Sequence, residues 1–218
     1  MPQAPRGFSF STCQSVKNGH PQPVPPAETK AERTRAGVLE AAERHFAASG
    51  FHAARLEDIA GDVGVKRAAL FYHFRDKQAL HDAVLRQVLG AVLARLQEIM
   101  AGELPFAERA EQAAAGWIDL LAERPTAARL ILRELACDEI DWRRLLPIAA
   151  PILDWMRHEL REAAARDEID PVDDEPLALL GSLVGATAFA PASEEPLAAR
   201  RAAAVRHLRR LLGTGGST

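Results

Sequence analysis

Between Lys66 and Lys77 the chain gathers cations and hydrogen-bond donors: Lys66, Arg67, Tyr72, His73, Arg75 and Lys77. That density suits a polyanion, whose phosphates take charge and whose base edges take directed hydrogen bonds. Arg67 carries the planar fork that pairs with O6 and N7 of guanine, and the methyl groups of Ala68 and Ala69 suit the methyl of thymine. No catalytic constellation competes. The histidines 20, 45, 52, 73, 81, 158 and 207 show no H-E-x-x-H spacing, and no G-x-S-x-G, phosphate loop or dinucleotide fingerprint occurs. The only cysteines, Cys13 and Cys137, are far apart, so neither a disulfide framework nor a cysteine metal site follows. No catalytic residue, metal or cofactor is expected, and the chain reads as no enzyme.

The elements that must position these side chains are two short helical patterns split by Gly64. Leu56, Ile59, Ala60 and Val63 repeat at i, i+3, i+4, i+7. Gly64 falls where a helix end wants a residue tolerant of positive φ. Val65 resumes the apolar pattern, and Leu70, Phe71 and Phe74 continue it. Two short helices on a tight glycine turn form a helix-turn-helix, whose second helix can enter a major groove. Spacing alone leaves a second reading open, an ordinary helical hairpin with a solvated basic face.

Over Val38–Leu85 the chain resembles the DNA-binding domain of the tetracycline-repressor (TetR/AcrR) family of bacterial regulators. Phe46-Ala47-Ala48-Ser49-Gly50-Phe51 matches that family's phenylalanine, three residues, glycine and aromatic. Leu56 to Val65 matches its aliphatic-x-acid-Ile-Ala segment ending in Gly-Val, and Lys66 to Leu80 matches the recognition helix and the lysine beyond it. The chain departs from the pattern at Lys66, Ala68, Ala69 and Phe71, where the family commonly has a hydroxyl residue, glycine, threonine and tyrosine. Lys66 and Arg67 can replace the lost hydroxyl contacts with longer-range charge. The resemblance implies that Arg55, Lys66, Arg67, Ala68, Ala69, Phe71, Tyr72, His73 and Lys77 meet DNA, with Lys77 on a phosphate. It also implies an all-α chain of about nine helices, with an N-terminal three-helix unit and a larger helical ligand-binding and dimerisation unit.

The rest of the chain fits that frame. Residues 1–27 are proline-rich and read as disordered, with Pro21, Pro23, Pro25 and Pro26 among polar residues. Thr29 and Glu32 form a capping box for a helix running to about Ser49, which turns Val38, Leu39, Ala42 and Phe46 inward. Residues 28–76 make the DNA-binding unit. Asp76 caps a long fourth helix that connects it to the second unit, 77–212, before a fraying tail, 213–218. Pro105 and Pro125 open two more helices. Asp141 starts a short segment to Leu146, Pro147 and Pro151 interrupt, and Ile152–Arg166 is helical. Two last helices are expected over 176–190 and from Pro196 to about Leu212. Net charge is −3, yet Lys/Arg outnumber Asp/Glu ten to eight over 30–90 and trail fifteen to twenty-one over 91–218. No apolar run is long enough to span a bilayer, and the N-terminus lacks a signal-peptide pattern, so a cytoplasmic protein, on the nucleoid when DNA-bound, is expected.

Within the second unit, Met100, Phe106, Trp117, Trp142, Trp155 and Met156 suggest a pocket for a flat or greasy molecule, although any one of them reads equally well as core. Arg129, Arg133, Asp138 and His158 are candidates for its polar end. In relatives the last two helices pair with a second copy, which here points to Leu180, Leu183, Val184, Thr187, Val205 and Leu208. The expected function is a homodimeric, ligand-responsive regulator, in this family most often a repressor, on palindromic double-stranded operator DNA, with a small-molecule effector and no membrane partner. The rivals are a ligand-independent DNA binder or activator of the same fold, and an interaction protein with a degenerate helix-turn-helix.

Overall fold

The computed structural model describes residues 29–135, 141–169, 181 and 196–212. The expected tails 1–27 and 213–218, all but residue 181 of the expected helix over 176–190, Asp138 and both cysteines lie outside the described residues. Eight helices fill the described part: α1 Lys30–Ala53, α2 Leu56–Asp62, α3 Arg67–His73, α4 Lys77–Met100, α5 Phe106–Glu123, α6 Pro125–Leu135, α7 Trp142–Ala165 and α8 Leu197–Leu211.

Local chemistry sets most of the boundaries. Thr29 accepts from the backbone of Glu32 at 3.2 Å while the Glu32 carboxylate takes the Thr29 N–H at 2.7 Å, the reciprocal cap read from the sequence. Asp76 takes the Ala79 N–H at 2.7 Å and starts α4. Gly64 holds the α2–α3 turn at φ 70°, a conformation that costs a side-chain-bearing residue strain. Gly50, at φ 78° and ψ 173°, kinks α1, and one more turn to Ala53 follows where the sequence reading stopped at Ser49.

A larger departure lies in α7. The sequence placed breaks at Pro147 and Pro151, but the helix runs through both. Each proline removes one backbone hydrogen bond and crowds the preceding turn. Both rings lie on the exposed side, while Leu145, Ile148, Ile152 and Leu153 are buried, so packing of the inner face holds the helix through the local penalty.

One continuous apolar core runs from Val38 on α1 to Ala204 on α8. Phe46 is fully buried, and Leu80, Val84, Val88 and Val92 carry the same core along α4. Truncating a buried phenylalanine of this kind costs about 3–5 kcal/mol. α1 packs on α6 and α4; α4 packs on α5 and α7; α5 packs on α8. The fourth and sixth helices thus both pack on α1 and join α1–α3 to the rest of the described chain. No helix among the described residues is long and apolar enough to cross a membrane.

Candidate nucleic-acid interface and apolar cavity

Helix α3 buries one residue of its own, Leu70, and the flanking Phe74 is buried beside it. Leu70 and Phe74 are four apart and share a face; Phe71 is turned about 100° from Leu70. The sequence reading had Phe71 continue the apolar face, and the structure corrects this: Phe71 is 44% exposed. Lys66, Arg67 and Ala68 are exposed, Ala69 and His73 are half-buried, and Tyr72 is 84% exposed with its ring edge-on to His73.

Around α3 a cleft of about 410 Å³ is lined by Arg55, Glu57, Arg67, Phe71 and Lys77, with Ala54 and Leu56 beneath. Arg67 Nη1 lies 2.8 Å from Glu57 Oε1, and its guanidinium sits 5.6 Å from the Phe71 ring centroid. The backbone N–H of Glu57 and the charges of Arg67 and Arg55 hold that carboxyl below the usual range. The cleft thus carries three cations, Arg55, Arg67 and Lys77, and one carboxylate, Glu57.

Lys77 has partners of its own. Its ammonium donates to the carbonyl of His52 at 3.1 Å and stands 4.9 Å from the Phe51 ring centroid. It therefore ties the first turn of α4 to the end of α1. Sequence reasoning missed Glu57 and Phe51, because no helical period links residues on different helices.

The second half holds an apolar cavity that gathers some, not all, of the residues named for a pocket. Met100, Phe106, Trp117 and Trp155 come together around about 110 Å³, with Met156, Leu160 and Leu208 closing the walls. Its polar border is Glu159, whose carboxylate lies 3.9 Å from Arg109; Arg109 itself donates to the carbonyls of Met100 and Leu104. Trp142 does not join it. It is 42% exposed at a separate apolar cavity of about 70 Å³, which shares Trp117 as a wall. His158 and Arg129 are exposed. Arg133 points to α1 instead, donating to the carbonyls of Ala47 and Ala48, each at 2.9 Å.

Of the residues expected at a dimer contact, Leu180, Leu183, Val184 and Thr187 lie outside the described residues. Val205 is half-buried, and Leu208 lines the cavity within this subunit. Helix α8 is fastened to α5 by Arg201 with Asp119 at 2.5 Å and by Arg209 with both oxygens of Glu111 at 2.6 and 2.7 Å.

Between interface and cavity lies a polar junction. Glu43 on α1 accepts from Thr126 at 2.9 Å and from Arg124 at 3.2 Å. His81, 1% exposed, packs edge-on against Phe46 and Phe51, with Nδ1 3.3 Å from Arg144. Its Nε2 is 3.2 Å from Glu134, near enough for electrostatic pairing but not aligned as a hydrogen bond. Because arginine only donates, Nδ1 accepts and a neutral ring carries its proton on Nε2, towards Glu134.

Residues 38–84 match the family model described as bacterial regulatory proteins, tetR family. The HTH-type transcriptional regulator RutR of Escherichia coli K12 is 36% identical over 114 residues, which cover 50% of this chain and 53% of that protein. The chain thus matches only about half the length of that curated relative. Among solved structures, the regulator FadR of Bacillus subtilis in complex with stearoyl-CoA is 19% identical with a TM-score of 0.70, over 79% of this chain and 96% of that one. The fatty acid degradation regulator FadR of Bacillus halodurans is 17% identical with a TM-score of 0.71, over 84% and 99%. At those identities the likeness is one of fold, and it extends well beyond the first three helices.

Proposed function

We propose that this chain, a member of the tetR family of bacterial regulatory proteins by its residues 38–84, is a homodimeric, ligand-responsive transcriptional regulator that acts on a palindromic operator as a repressor. The observation that carries the DNA-binding half is the way α3 is held. One residue of the helix is buried, and four of its other six are exposed, including an aromatic ring that is 84% exposed. Exposing Phe71 and Tyr72 beside Arg67 and Lys66 makes sense on a surface that a partner covers. The partner that fits cations, donors and methyl groups on one helix is duplex DNA.

The effector half rests on the cavity. Its walls are almost wholly apolar and come from α4, α5, α7 and α8, so it suits a small apolar or aromatic molecule with at most one polar end at Glu159. The long acyl chain of the ligand in the Bacillus subtilis FadR complex is the kind of surface such walls bury. Helices α4 and α7 carry both cavity residues and junction residues, which supports a coupling of effector and DNA. An effector shifts that balance only by its differential affinity for the two arrangements. Residues 28–76 are then the reading unit and 77–212 the sensing and pairing unit, working in the cytoplasm. Two reading helices about 34 Å apart are what a palindrome requires.

The experiment is fluorescence anisotropy of the full chain on duplexes recovered by binding-site selection, at several salt concentrations. Salt-dependent, sequence-selective binding supports the reading; no binding to any duplex refutes it.

A further inference from the structure

We infer that Glu57, in the first turn of α2, is a specificity-determining residue that positions Arg67 to read a base; the inference rests on the proposed DNA-binding role of α3. An exposed arginine samples many rotamers, and reading a single base requires it to give up that freedom. Arg67 is already held from two directions. Glu57 Oε1 meets Nη1 at 2.8 Å, and the Phe71 ring lies 5.6 Å from the guanidinium carbon. A pairing contact and a ring contact together restrict both the tilt and the rotation of the fork. Guanidinium carries five N–H donors, so one contact with Glu57 leaves donors for guanine.

The charge arrangement supports the same role. A cleft built only for affinity would not hold a carboxylate among Arg55, Arg67 and Lys77. Glu57 is ionised at neutral pH, since its carboxyl is held below the usual range. Next to a duplex it repels phosphate, which disfavours the collapse of Arg67 onto the sugar-phosphate backbone. General affinity falls and base discrimination rises, the usual exchange made by a repulsive element in a specific interface. The neighbouring Asp58 is also exposed in the first turn of α2 but makes no ion pair among the described residues. It is a matched control for charge and for helix dipole.

The test uses the full chain as wild type, Glu57→Ala, Glu57→Gln, Asp58→Ala, Arg67→Ala and the Glu57→Ala/Arg67→Ala double variant. Wild type and Arg67→Ala go through binding-site selection. All variants are then titrated on the selected duplex and on a copy with the Arg67-dependent guanine replaced by adenine. Circular dichroism checks that each variant is folded. Glu57→Ala should lower the ratio of the two affinities roughly two- to fivefold, the scale of a half-exposed ion pair, while binding to the adenine copy tightens. Glu57→Gln, which keeps an acceptor, should fall in between. Asp58→Ala should move both duplexes alike. Without Arg67, removing Glu57 should no longer change the ratio.

An unchanged ratio in Glu57→Ala overturns the inference. So does the same loss in Asp58→Ala, or a loss that persists without Arg67. A selected site whose base weights ignore Arg67 overturns it as well and leaves DNA binding standing. A wild type that selects no sequence defeats the DNA-binding reading itself, a different failure.

Discussion

Arg144 on α7 and Asp82 on α4 meet at 2.8 Å, and the other terminal nitrogen of the same guanidinium is 2.8 Å from Glu134 on α6. One position before Asp82, His81 is packed among Phe46 and Phe51 of α1. A single arginine therefore fastens α6 and α7 to the part of α4 that carries the aromatic core of α1. Eleven residues further along α7, Trp155 lines the apolar cavity. At 1.5 Å per residue the two lie about 16 Å apart on one helix, so a single helix carries both the junction and a cavity wall.

Arg144→Met should destabilise the protein by about 2–4 kcal/mol, because it leaves two largely buried carboxylates facing each other without their cation. Urea denaturation followed by circular dichroism checks this. A loss under about 0.5 kcal/mol would make the contact no more than a surface pair.

The same cluster sets an acid limit. Burial pushes the Glu134 carboxyl up, but the adjacent His81 ring and the paired Arg144 guanidinium outweigh it, so it ends below its ordinary 4.5. A carboxyl depressed in the folded state contributes stability that is present above its unfolded value and lost as pH falls through the folded value. Stability should fall from about pH 4.5 downward, and less steeply in Glu134→Gln than in wild type. Denaturation midpoints between pH 3 and pH 6, compared for the two proteins, give the answer.

Lys77→Ala should act twice. It removes the donor to the His52 carbonyl and the cation beside Phe51, costing about 1 kcal/mol of stability. It should also weaken binding to all duplexes alike and flatten the salt dependence by about one unit of slope per subunit, if the lysine shares its charge with a phosphate. A normal slope with lowered stability would make Lys77 purely an internal strut.

How far the sequence reveals this depends on the range of each interaction. The α2–α3 unit was legible because its signals are local: Leu56, Ile59 and Ala60 at helical spacing, Gly64 at the turn, Asp76 as a cap. The Arg67–Glu57 pair was not, since it joins two helices ten positions apart with no period between them. Proline rules are local as well, and they failed in α7, where burial of Leu145, Ile148 and Ile152 decided the matter. The three tryptophans look alike in sequence, yet only Trp117 and Trp155 line the larger cavity, because helix packing selects the face. His81 is a lone histidine by spacing and is almost fully buried at the junction.

The cavity should bind an apolar fluorophore such as N-phenyl-1-naphthylamine, with energy transfer from Trp117 and Trp155. Ala114→Phe, which adds a ring from the cavity wall, should weaken that binding at least several-fold, and overpacking of this kind costs about 1–3 kcal/mol of stability. Unchanged dye binding in a folded Ala114→Phe protein would place the site elsewhere.

The central claim, that α3 reads DNA, is tested most directly by binding-site selection with wild type and Arg67→Ala side by side. Wild type should select two inverted half-sites, each holding a guanine next to a thymine. Arg67→Ala should lose the preference at that one guanine and bind the selected site about 1–3 kcal/mol more weakly. Identical base weights at every position in the two proteins would contradict it.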